Sequence, residues 1–354
     1  MKKRMLLSLA MAVGLFGAGT AFAAQETVPI SSLQPAVQLE KPQLYGVGGK
    51  LIFSDSPETF ATPGGLYRGV ADGEFRVFWH HQNASDTTFE IGAAITNTSS
   101  QTVRLYTKGR GVGTNYYVDV AGQDALVQFL NTQNTKVLVA ELAPGQSYYI
   151  TAPTPKDITN SGIVQFVASD KSGKPAQVTV TTLAYESKPK NPEKIAILPS
   201  DDHGRGTFPH FDRIGVIQYD TAQGNAYISV DAAAYGPWQD DMPGEYENGW
   251  SAVDNAPVIN NGNYGVMYHF AVHVTNSHSD PRQVGVYLNP AGGYGHFALL
   301  WNKQLFQSDY LNYEQAWHIT DFKVNPHGGL YSSQMSLTGG SAGPQVIYFT
   351  NQRR

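Results

Sequence analysis

The chain contains no cysteine. That single absence excludes disulfides, an N-terminal lipid-modified cysteine and thiolate metal sites, so stability has to come from packing. Charge is sparse as well, with Asp, Glu, Lys and Arg at 15% of residues. No basic stripe of the kind phosphate binding needs is visible, and nucleic acid is not an expected partner. Past the N-terminus no apolar run approaches the roughly 20 residues of a membrane helix, so no membrane insertion is expected of the mature chain. Helical periodicity is missing too. What is present is 36 glycines, 20 prolines and 20 tyrosines, the composition of short strands joined by many turns.

The N-terminus carries an address. Lys2, Lys3 and Arg4 precede an apolar stretch from Met5 to Gly17, and Ala21-Phe22-Ala23 offers a small-x-small cleavage site. This is the pattern of a secretory signal peptide over 1–23, and it places the mature chain, from Ala24, in the periplasm or outside the cell. The leader holds three of the 24 basic residues, which leaves 21 basic against 29 acidic residues and a net charge of -8. Charge of this size favours solubility.

Removing 23 residues from 354 leaves 331, more than one hydrophobic core usually serves. The expected fold is all-β, with two immunoglobulin-like antiparallel β-sandwich domains. The boundaries read as an N-terminal arm over 24–48, lying against the first domain, a first sandwich over 49–187, a linker over 188–213 and a second sandwich over 214–354. Strand-like runs bounded by turn residues recur at 75–81, 89–96, 103–106, 136–142, 147–151, 163–168 and 178–185, then at 214–219 and 226–230. The linker is rich in proline and holds Asp201-Asp202-His203-Gly204-Arg205-Gly206. A long loop over 232–263 follows, of the kind that is usually functional or mobile.

Two segments align without gaps. Phe89, Ile91, Ala93 and Ile95 match Tyr268, Phe270, Val272 and Val274, and each run ends in Thr-Asn at 96–97 or 275–276. A polar turn leads each into a second strand, 103–106 or 284–287. Glycine turns then follow at 108–113 and 289–295. A repeated β-hairpin unit implies two related domains. Short pieces along the mature chain, among them Ser54-Asp55-Ser56-Pro57-Glu58, Phe75 to His81, the 95–97 turn and Asn263-Tyr264-Gly265-Val266, resemble a secreted bacterial domain-of-unknown-function family known chiefly from cyanobacteria. The resemblance implies export and a two-part β architecture, and it brings no catalytic residues.

The strongest candidate for a ligand site is the run from Trp238 to Trp250. Trp238, Tyr246 and Trp250 supply aromatic faces, and Asp240, Asp241, Glu245 and Glu247 supply carboxylates, the pairing that holds sugars. The expected function is a non-catalytic binding or structural module of the cell envelope with a cell-envelope polysaccharide as partner. One alternative is a carbohydrate-active hydrolase using the same acidic loop. Another is an exported metal-binding protein, with His203, His210 and Asp212 as ligands folded together by the linker. No cofactor is called for. His80 and His81 are strand neighbours that point to opposite faces, so each reads as a hydrogen-bonded structural histidine. His269 and His273 share a face but stand about 13 Å apart along a strand. Gly339-Gly340-Ser341-Ala342-Gly343 fits the nucleophile pattern, yet Pro344 and a strand-like run follow, so it reads as a turn.

Overall fold

A computed structural model describes residues 25–351. The leader lies outside the described residues. The chain is all-β and built chiefly from antiparallel sheets. A nine-stranded sheet runs Val137–Leu142, Val103–Asn115, Thr159–Ser169, Glu74–Asn83, Leu51–Ser54, Arg205–Phe208, Gly249–Ser251 and Ala256–Val258, with Thr59–Phe60 also pairing on Glu74–Asn83. It packs on a four-stranded sheet of Ser147–Thr154, Phe89–Thr96, Gln177–Tyr185 and Gly64–Asp72. Alternation decides which side chains meet: Val77, Trp79, Leu105 and Phe166 from one sheet pack with Ile91, Ile95 and Val180 from the other.

The second sandwich closes two six-stranded sheets. One is formed by Arg282–Pro290, Gln315–Val324, Gln345–Thr350 and Ala226–Val230, the other by Met267–Thr275, Gly329–Met335, Ala298–Trp301 and Asp212–Asp220 with Gln304–Gln307. Their remaining strands come from the N-terminal arm. Thr27–Pro29 and Val37–Gln38 edge the first of these sheets and Tyr45–Val47 the second. The arm therefore lies against the second sandwich, where its backbone finds open sheet edges, and not against the first. The exchange is mutual, because Arg205–Phe208, Gly249–Ser251 and Ala256–Val258 extend the nine-stranded sheet.

The aligned segments are not hairpins. Phe89–Thr96 lies in the four-stranded sheet and Val103–Asn115 in the nine-stranded one; Met267–Thr275 and Arg282–Pro290 are split between the six-stranded sheets in the same way. Each polar turn arches from one sheet to its partner. The run at 108–113 is no turn either, since strand Val103–Asn115 continues through it with cleanly alternating burial. Gly109, Gly111 and Gly113 fall on one face of it, and a helix, Val118–Thr132, lies in the shallow channel they leave. A Cβ on Gly111 would overlap the Ala125 carbonyl oxygen, and one on Gly113 the Ala121 carbonyl oxygen.

That helix joins the two sandwiches. Ala125, Leu126, Phe129 and Leu130 pack with Leu51, Phe53 and Phe78 of the first and Val266, Met267 and Ala298 of the second. Gln123 Nε2 donates to the carbonyls of Phe297 and Ser308 at 2.8 and 2.7 Å. Arg76, buried beside Phe129 and Phe211, pairs across the junction with Asp212 at 2.8 Å.

Candidate functional site

The residues of the 238–250 run do not converge. Trp238 is 84% exposed, and Trp250 lies in the next-to-last strand of the nine-stranded sheet, paired with Thr207 on one side and Pro257 on the other. Asp240 pairs with Lys41 of the arm, and Asp241 accepts from Gln239 Nε2 at 2.9 Å. Glu245 is fully buried and accepts from the backbone N–H of Asp231 and Met242, both at 2.7 Å, and from the Tyr268 hydroxyl at 2.9 Å. Tyr246 donates to the Ala232 carbonyl. Glu247 pairs with Arg213 at 3.1 Å and His210 at 2.7 Å. A loop rich in acids and aromatics thus spends most of them on its own backbone and on buried cations.

The three metal candidates also part company. His203 lies between Glu58 and Asp201, His210 faces Glu247, and Asp212 is held by Arg76 and His269. Among the described residues no group of three or more His, Asp or Glu side chains is placed to hold a metal ion. Each of these side chains is satisfied by a partner that neutralises it, which leaves no shared set of ligands.

A different place concentrates unsatisfied chemistry. A cavity of about 720 Å³ opens where the two sandwiches meet. The bend after Leu51–Ser54 brings Asp55 and Glu58, strand Glu74–Asn83 brings His80, and the proline-rich segment brings Asp202 and His203. The long loop adds Tyr235, Asn261 and Tyr264, while glycine turns of the second sandwich add 292–294 and 339–342. Gly339 must be small: a Cβ there would stand 2.5 Å from His80 Nδ1 and 2.9 Å from Ser161 Oγ.

His80 and His81 divide as strand neighbours do. His81 is hydrogen-bonded to Ser54 Oγ at 3.0 Å and the Pro57 carbonyl at 2.8 Å, and burial pushes its pKa down to about 4. His80 contradicts the structural reading. It is 2% exposed, it lines the cavity, and neither ring nitrogen has a hydrogen-bond partner among the described residues. Burial, with His81 adding to it, pushes His80 down to about 3, so the ring is neutral and offers one donor and one acceptor.

The carboxylates are arranged around His203. Its Nε2 lies 3.0 Å from Glu58 and its Nδ1 3.1 Å from Asp201. Burial works against its charge, but the Asp201 hydrogen bond and the charges of Glu58 and Asp55 outweigh it and raise its pKa. Asp55 is pushed up to about 8 by burial and by Glu58, and its Oδ1 has no partner among the described residues. Ser341 also lines the cavity, but its hydroxyl donates to the His296 carbonyl at 3.1 Å and accepts from the His296 N–H at 3.2 Å. Strand Gln345–Thr350 follows it and no helix, so the nucleophile-elbow geometry is absent.

No family model and no curated protein matches the chain. Among solved structures it is similar, at 9% identity over 95% of this chain and 93% of the other, to the N-terminal tandem CBM22-1-CBM22-2 domain of Paenibacillus barcinonensis Xyn10C, with a TM-score of 0.17. The 11S allergen of Cocos nucifera aligns at 11% identity over 89% and 90% of the two chains, TM-score 0.13. A multicopper oxidase from Campylobacter jejuni aligns at 9% identity over 75% and 48%, TM-score 0.10. At such scores none of these likenesses bears on function, and the cavity has to be read from its own residues.

Proposed function

We propose that the chain is an exported, non-catalytic binding module of the cell envelope that seats a polysaccharide in the cleft between its sandwiches. Export rests on the N-terminal leader pattern. The ligand class rests on one pairing: flat aromatic faces at the opening of the cleft and unsatisfied polar groups within it. Tyr235 and Tyr294 line the cavity yet remain 60% and 58% exposed, and Tyr310 stands 6.0 Å from Tyr294, extending the aromatic surface. Sugar rings stack on such faces while their hydroxyls take up the buried donors and acceptors below, here His80 and Asp55.

Titration calorimetry with soluble envelope and plant-type glycans tests this. Tyr235→Ala and Tyr294→Ala are each expected to weaken binding about tenfold, or roughly 1.4 kcal/mol, with no new reducing ends released. Unchanged affinity in both variants would remove the reading. The hydrolase alternative keeps one specific support, moved from the acidic loop to the cleft. Asp55, held protonated near neutral pH with Glu58 nearby, meets the requirement for a proton donor to a glycosidic oxygen. Sugar release that disappears in Asp55→Asn would favour the hydrolase.

A further inference from the structure

The charge balance of the cleft narrows its ligand. Three of its lining residues, Asp55, Glu58 and Asp202, are acids, and none is Lys or Arg. Asp201 stands behind them, accepting from the Glu58 N–H at 2.8 Å. Among the described lining residues the cation is His203, and it is already shared between Glu58 and Asp201. A uronic acid or a sulfated sugar would bring a further negative charge into this field, with no guanidinium or ammonium among the lining residues to receive it.

His80 is the independent sign of a missing partner. A buried imidazole with neither nitrogen paired among the described residues costs free energy unless water or a ligand completes it, and the neutral ring accepts a hydrogen bond at one nitrogen. Asp55 Oδ1 is a second buried polar atom without a partner among the described residues, and a positive charge brought beside it would favour the ionised, accepting form of a carboxyl that burial otherwise keeps protonated. A group with several N–H donors and a positive charge answers both.

Resting on the polysaccharide reading above, we infer that the cleft selects sugar units bearing a free primary ammonium, that is, de-N-acetylated hexosamines, through Asp55, Glu58 and the unpaired nitrogen of His80. N-acetylation would remove the charge and add bulk against Gly339 and Gly340. Neutral glycans would bind more weakly, and polyuronates least.

The test compares three oligosaccharides of equal length at fixed ionic strength: a β-1,4-linked N-acetylglucosamine oligomer, its fully de-N-acetylated form and an oligogalacturonate, with n-propylamine as a sugar-free amine. The de-N-acetylated oligomer is expected to bind at least tenfold more tightly than the acetylated one. That preference should shrink in added salt and be lost in Asp55→Asn and Glu58→Gln, each checked for an unchanged thermal melt. Should Asp55→Asn fail to fold, Glu58→Gln, at a part-exposed position, decides. Equal or tighter binding of the acetylated oligomer overturns the ammonium selection and leaves polysaccharide binding standing. If n-propylamine binds as tightly as the oligomer, the ammonium contact is supported and the polysaccharide reading beneath it fails. Binding of none of the probes overturns both.

Discussion

Asn97 and Asn276 close their arches with the same hydrogen bonds. Each side-chain amide donates to the carbonyl four residues ahead, Gln101 at 2.7 Å or Asp280 at 2.8 Å, and to the last residue of a strand across the turn, Leu142 at 2.8 Å or Val324 at 3.2 Å. Each side-chain oxygen accepts from the N–H two residues ahead, in Ser99 or His278. Asn83 repeats the pattern with Thr87, Thr154 and Ser85. An amide that supplies two donors and an acceptor to buried backbone is what lets the chain cross between sheets without stranding carbonyls.

Replacing either arch asparagine by alanine should therefore destabilise its sandwich by about 2–4 kcal/mol, because buried backbone groups lose their partners. Urea unfolding of Asn97→Ala and Asn276→Ala measures it. A cost below about 0.5 kcal/mol in both would mean that solvent, and not the side chain, satisfies these turns.

The glycine ladder under the helix makes a sharper demand. A Cβ at Gly111 runs into the Ala125 carbonyl, and backbone cannot move aside as a flexible side chain can. Gly111→Ala should cost about 3 kcal/mol or more and loosen helix Val118–Thr132 from the sheet. Hydrogen exchange of the helix amides reports the second effect directly, and unchanged protection would show that the channel has slack.

Much of the sheet architecture is legible in the chain, and the reasons for success and failure are physical. Alternation at 75–81 puts Val77 and Trp79 on one face and Phe78 on the other, and the structure buries the first two in the sandwich core and Phe78 under the helix. The Thr-Asn signal marks both arches, but a polar turn between two strands looks the same whether the strands pair or face each other across a core. Glycine at alternate positions looks like turn punctuation in sequence; along a strand it strips one face of Cβ atoms and admits a helix. The cleft was out of reach, because its walls come from segments as far apart as Asp55 and Ser341. Nor could sequence separate His80 from His81, since only tertiary structure decides which of them finds a partner.

Acid should act on the histidines. A His whose folded pKa is depressed binds its proton only in the unfolded chain between the two pKa values, so stability is lost as pH falls from about 6.5 toward about 3 for His80 and about 4 for His81. Asp55 works the other way, its raised pKa removing stability as pH climbs from about 4 toward about 8. The contributions overlap between pH 4 and 6, so the variant difference is the clean quantity. His80→Asn should lessen the acid loss by about 1.4 kcal/mol per pH unit in that window. Parallel stability–pH curves for the two proteins would show that His80 titrates freely and is not buried as described.

Glu247 offers a final separation of site from scaffold. It lies in the acid-rich loop that the sequence nominates for ligand binding, yet its oxygens face Arg213, which is 1% exposed, and His210. Arg213 also donates to the carbonyls of Glu245 at 2.8 Å and Asp212 at 3.0 Å, so the guanidinium stays hydrogen-bonded when Glu247 is neutralised but loses its counter-charge. Removing one partner of a buried pair costs more than the pair contributes, because an uncompensated charge remains in a poorly solvated site. Glu247→Gln is expected to lower stability by about 2 kcal/mol while leaving glycan affinity within twofold of the wild type. Lost affinity with unchanged stability would return the binding site to the loop and take it away from the cleft.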